Sequence, residues 1–191
     1  MKTLILAVAA ILSVSTACAN NNKNQQQMNE GNKKSLVVYY SQTGNTQTVA
    51  GKIQTLTGSD IFRIETVKEY PADYTATTEV AQREKNENAR PELKGRVQNI
   101  EDYDVIYVGY PIWWGTPPMA VFTFLESYDL KGKIIVPFAT HGGGGIGTSV
   151  QDIKRILPGI DVKDGLSLRG GSVNSSDPQI ESWLERLGMI E

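Results

Sequence analysis

The sequence predicts an α/β domain: a doubly wound parallel sheet of five strands with helices on both faces. Three observations carry this reading. Apolar runs alternate strictly with stretches of helical spacing. The central runs are apolar at nearly every position, as in strands covered on both faces, rather than alternating. Loops rich in Gly, Pro and hydroxyl side chains follow the strands, and sheets of this class bind ligands beyond the carboxyl ends of their strands.

Strand one is "SLVVYYS" (35–41), and the helix after it starts at Thr46 with Val49, Ala50, Ile53 and Leu56 on one face. "DIFRIE" (60–65) is strand two. Residues 74–88 are polar but rich in Ala and Glu, which predicts a second helix, stopped by Pro91. "DVIYVGY" (104–110) is strand three. Pro117 and Pro118 suit the first turn of a helix that turns Met119, Phe122 and Leu125 inward. "KIIVPFA" (133–139) is strand four, and Thr148 or Ser149 caps a helix with Val150, Ile153, Ile156 and Leu157 inward, ended by Pro158. "VKDGLSL" (162–168) is strand five. The last helix takes Asp177 as cap and Pro178 in its first turn, buries Ile180, Trp183, Leu184 and Leu187, and closes at Gly188.

At 191 residues and 40% hydrophobic content, the chain has enough material for one full core. The remainder is N-terminal. Residues 1–18 are expected to be a signal peptide: Lys2 precedes "LILAVAAILSV", too short to span a bilayer but right for a secretory apolar region. "STAC" then suggests a lipobox with lipidation at Cys18, although Ser15 departs from the usual residue there. The alternative is an ordinary "ACA" cleavage after Ala19. Residues 19–34 are polar and aperiodic, expected to be a disordered tether, and residues 35–191 the folded domain. The expected location is the cell envelope, as a lipoprotein or a soluble periplasmic protein, with membrane contact only through the lipid anchor.

Formal charge is −2 overall; without the four Lys and one Glu before Ser35, the domain carries 15 basic against 20 acidic residues. A mildly acidic domain without a basic block is a poor nucleic-acid binder. One His and one Cys exclude a metal site built from those ligands.

Three loops carry the chemistry. In "SQTGNT", Ser41, Thr43 and Thr46 offer hydroxyls, Gly44 allows a tight turn, and Gln42 and Asn45 add backbone amides at a helix N-terminus. That set suits a phosphate monoester. It is neither a Walker loop nor a G-x-G-x-x-G turn, and taken alone it could be a turn that binds nothing. In "YPIWWG" (110–115), Tyr110, Pro111, Ile112, Trp113, Trp114 and Gly115 suit one wall of a slot for a flat ring, with one Trp packing beneath the loop and Gly115 free to reorient its peptide. In "THGGGGIG", Thr140, His141, Gly142, Gly143, Gly144 and Gly145 could bring backbone N–H groups to an electron-rich edge. His141, the only histidine, is the candidate catalytic proton donor; its bland role is loop scaffolding. An esterase reading of "HGGGG" fails, because the chain has neither a G-x-S-x-G elbow nor a second histidine.

"SQTGNT", "DVIYVGYPIWWGTPP" and "FATHGGGGIG", in this order, resemble the flavodoxin-like FMN-binding proteins, in particular the bacterial branch with "YPIWWG" in its second loop. The resemblance spans Ser35 to Glu191. It implies a flavodoxin-like sheet of order 2-1-3-4-5, with the FMN phosphate at residues 41–46 and the isoalloxazine between residues 110–115 and 140–147. The short "KDGLSLRGG" leaves no room for the long insertion that splits strand five in long-chain flavodoxins. Within this reading, an oxidoreductase passing electrons to a small quinone-like acceptor competes with a one-electron carrier serving a redox protein partner. The aromatic-free third loop favours the reductase. A non-catalytic binding module is the reading from another class.

Overall fold

The structure, a computed structural model, describes residues 33–191. The expected signal peptide, Cys18 and all but the last two residues of the expected tether lie outside the described residues. Lys34 is already built into the fold: its N–H donates to the Asp104 carboxylate, and its carbonyl accepts from Asp104 N–H.

The domain is a parallel sheet flanked by helices. In chain order the elements are β1 (Ser35–Tyr39), α1 (Asn45–Thr57), β2 (Asp60–Arg63), α2 (Tyr74–Glu87), β3 (Val105–Pro111), α3 (Met119–Glu126), β4 (Ile134–His141), α4 (Ser149–Ile156), β5 (Asp161–Val162), β6 (Leu166–Arg169) and α5 (Asp177–Arg186). The strand order is β2-β1-β3-β4-β5, with β6 also on the outer edge of β4.

Strand periodicity divides the core. Leu36, Val38, Ile106, Val108, Ile135 and Ala139 face one side, where Val121, Phe124 and Leu125 of α3 and Val150 and Ile153 of α4 cover them. Val37, Tyr39, Tyr107, Val136 and Phe138 face the other, against Val49, Ala50 and Ile53 of α1 and Ile180, Trp183 and Leu184 of α5. Each of the larger side chains that is fully buried here stabilises by about 1.5–3 kcal/mol. Helix α2 buries only Thr77 and Ala81, which explains its weak periodicity in the sequence. It ends at Asn88, a left-handed cap, before Pro91 is reached.

The expected single strand at 162–168 is broken into β5 and β6. β4 partners Ile135 with Val162 and Phe138 with Leu166, so the outer edge carries one residue more than β4 over the same span, as in a β-bulge. The cause is Pro137. Ile135 and Pro137 turn their backbone groups to the same edge, where the Ile135 carbonyl accepts from Lys163 N–H, but Pro137 has no N–H to donate. Trp183 donates its indole N–H to the Asp164 carbonyl exposed by the break, at 3.2 Å.

Of the expected caps, Thr148, one of the two candidates, stands at the entrance of α4, while Ser176 and not Asp177 stands at that of α5; neither side chain caps an N–H. Asp177 instead pairs with Lys52 of α1 at 2.6 Å.

Candidate functional site

β1 stops at Tyr39 and the chain turns through residues 40–44 into α1. Gly44 makes the turn at φ +89°, and no side chain caps the helix, so the first-turn N–H groups keep their free valence. Ser41 is buried, and its Oγ accepts from Gly44 N–H at 3.2 Å. Thr46 is buried as well, its hydroxyl 2.8 Å from that of Thr140. Asn45 donates to Thr43 Oγ1 at 3.3 Å, while Gln42 accepts from Tyr40 OH and donates to the Pro71 carbonyl.

β3 runs on through Pro111, so Tyr110 is core and not loop: it is fully buried, with its OH bonded to Ser149 Oγ at 3.1 Å. Beyond Ile112 the chain makes a tight hairpin. Trp113 and Thr116 exchange both backbone hydrogen bonds, and the two residues between them, Trp114 and Gly115, have φ of +52° and +81°. This is type I′ geometry, which favours Asn-Gly. A tryptophan there is a true outlier, costing on the order of 1–2 kcal/mol. The strained indole is fastened to α2: Trp114 Nε1–H donates to the Thr78 carbonyl at 2.9 Å, and Lys85 donates to the Trp114 carbonyl at 2.6 Å. Trp113 packs edge-on against Tyr70 and Tyr40, with centroids 5.0 and 5.5 Å away.

The third loop docks onto the second at its far end. Thr148 N–H donates to the Gly115 carbonyl at 2.8 Å, and a Cβ on Gly147 would lie 2.2 Å from that oxygen. Gly115 is therefore held at its carbonyl. Below, Asp152 accepts from the hydroxyls of Thr116 and Thr148, both at 2.7 Å, and from Arg155. Burial alone would raise the Asp152 carboxyl, but these three donors outweigh it and hold it below the usual range.

Between the loops lies a cavity of about 590 Å³, of cofactor size. Gln42, Thr43 and Asn45 line one end, Pro111 to Trp114 one wall, and Thr140, His141 and Gly142 another. Ser41, Gly44, Thr46, Tyr110, Gly115 and Gly143 to Gly145 do not line it. The first two loops thus contribute fewer side chains than the sequence suggests, because strand ends and loop-to-loop bonds absorb the rest. The imidazole of His141 has its Nδ1 buried without a hydrogen-bond partner. Two further contributions come from outside the three loops. Ala72, Tyr74, Thr77, Thr78 and Ala81 form a wall from α2 and its approach, and Arg169, Gly170 and Gly171 close the cavity after β6.

The family model described as Flavodoxin matches residues 34–187. The chain belongs to the flavodoxin family.

Among solved structures, a protein of Bacteroides eggerthii described as a flavoprotein is 35% identical, with a TM-score of 0.74 over 82% of this chain and 99% of that one. A second, from Bacteroides uniformis, is 31% identical with a TM-score of 0.71, over 80% and 98%. A flavoprotein of Lactobacillus acidophilus in complex with FMN is 25% identical with a TM-score of 0.64, over 75% and 98%. No curated protein sequence matches.

The flavodoxin cavity passes a physical test for a phosphorylated flat-ring cofactor. It joins an uncapped helix N-terminus to an aromatic wall, and the orphaned His141 Nδ1 faces no protein partner. A buried polar atom left unpaired costs about 1–3 kcal/mol, so a ligand group or water is expected to satisfy it.

Proposed function

We propose that this flavodoxin-family chain binds FMN in the 590 Å³ cavity and reduces small, flat, quinone-like acceptors. The carrying observation is the asymmetry of the cavity. Trp113, Trp114 and Tyr74 supply aromatic surface on the second-loop and α2 sides, whereas the β4 side is Thr140, His141 and Gly142. Bound FMN would supply electron-pair or single-electron transfer. Thr43, Asn45 and the first-turn amides of α1 would hold its phosphate, and the Trp and Gly142 walls its ring. His141 would hold or release a proton at an imidazole whose Nδ1 no protein group occupies. General-acid help of this kind is typically worth about 10²–10⁴-fold.

A second reading, the one-electron carrier, draws on Tyr74, which is 82% exposed at the mouth and supplies an aromatic that the third loop lacks. The test is steady-state turnover of a benzoquinone with NADH or NADPH by FMN-loaded protein, for wild type and His141→Ala. The reductase reading expects turnover that falls at least tenfold in the variant with FMN affinity kept. Photoreduction in two separated one-electron steps with no quinone turnover would favour the carrier.

We also propose that the protein acts in the cell envelope, anchored by lipid on Cys18. The support is the sequence alone: a short apolar run, "STAC", and a polar stretch beyond it.

A further inference from the structure

We propose that Arg169 is the countercation for the FMN phosphate; this rests on the FMN reading above and adds a charge to a cradle otherwise made of neutral donors. Arg169 is, among the described residues, the only one lining the cavity with a permanent charge, and no Asp or Glu among them lines it. Among the described residues, no ion pair and no side-chain hydrogen bond engages its guanidinium; the six ion pairs use other cations.

The backbone carries this charge to the phosphate end. β6 ends at Arg169, and the next residue packs directly on the first residue of α1. A Cβ on Gly170 would lie 2.7 Å from Asn45 Nδ2, the group that donates to Thr43 Oγ1. The close approach places Gly170, the residue after Arg169, against the Asn45 side chain at the helix entrance. Arg169 is also the register partner of His141 on β4, so its backbone lies beside the start of the third loop. The chemistry then selects an anion. A phosphate monoester is close to a dianion at neutral pH, and a guanidinium pairs with it through two parallel N–H···O bonds. The helix N-terminus adds only a partial charge.

The experiment is a fluorescence titration of apoprotein with FMN and with riboflavin, for wild type, Arg169→Gln and Arg169→Lys, at low and high salt. Arg169→Gln should weaken FMN about 10- to 100-fold and leave riboflavin unchanged, while Arg169→Lys keeps part of the difference. Salt should weaken FMN binding more steeply in wild type than in Arg169→Gln. The apoprotein melting temperature should stay within about 2 °C, since an exposed side chain without partners is changed. Equal losses for FMN and riboflavin would show that the guanidinium meets the ring, and no loss for either that it is a free surface charge; both overturn the proposal. A wild-type chain that binds no FMN fails the cofactor reading itself, which no Arg169 variant can produce.

Discussion

Replacing Trp114 by Asn should separate stability from flavin affinity. The variant turns Trp-Gly into Asn-Gly, the pair best suited to a type I′ turn. Relief of the φ +52° strain should return about 1 kcal/mol. Against this stand the lost indole bond to the Thr78 carbonyl, about 1 kcal/mol, and the burial of a ring that is already 49% exposed, about another 1 kcal/mol. The net cost is about 1 kcal/mol, a fall of roughly 2–4 °C in melting temperature. Affinity should suffer far more. An indole on a flat ring covers on the order of 100 Å², worth about 2.5 kcal/mol, with stacking geometry adding about 0.5–1.5 kcal/mol. FMN affinity should drop roughly 100- to 1,000-fold, read by flavin fluorescence titration alongside thermal unfolding of the apoprotein. Unchanged affinity, or a melting temperature lower by more than about 10 °C, would mean that Trp114 plugs the fold and walls no ligand.

Thr43→Ala and Thr46→Ala should behave differently, although the sequence gives both hydroxyls one role. Thr43 lines the cavity and should cost about tenfold in FMN affinity with little effect on unfolding. Thr46 is buried against Thr140, so its loss should also lower unfolding stability by about 1–3 kcal/mol; equal melting temperatures for the two variants would contradict this. Asp152 should link the loops in a pH-dependent way. Its folded carboxyl sits below the ordinary range, so its contribution is complete above about pH 4 and is lost as pH falls through the folded value. The urea-midpoint gap between wild type and Asp152→Asn should therefore be wide at pH 6 and narrow below about pH 4; a constant gap refutes it. Mass spectrometry of the mature N-terminus should find a diacylglyceryl group on Cys18, and an unmodified chain starting at Asn20 would exclude the anchor.

The order of strands and helices was legible because buried strands and amphipathic helices leave different periods in the sequence. β1, β3 and β4 are covered on both faces, and α1 and α5 each bury a stripe. What escaped depended on backbone facts that no residue type announces. Tyr110 reads in sequence both as the last residue of strand three and as part of the ring wall; β3 continues through Pro111, which keeps Tyr110 in the core. Pro137 split the fifth strand from a neighbouring strand, an effect that acts across hydrogen bonds and not along the chain. The wall from α2 was hidden because, apart from Tyr74 at its start, its cavity side is Thr and Ala, indistinguishable in pattern from a solvated face. For Arg169 a signal did exist: "RGG" follows a strand on the same edge as the other three loops.

The central claim is that the cavity holds FMN through its phosphate, and a titration of wild-type apoprotein tests it most directly. FMN should bind one to one. Riboflavin, which lacks the phosphate, loses at least two charge-assisted hydrogen bonds worth about 1.5–3 kcal/mol each, so it should bind at least roughly a hundredfold more weakly. Equal affinities for the two flavins, or no binding of either, would contradict the account.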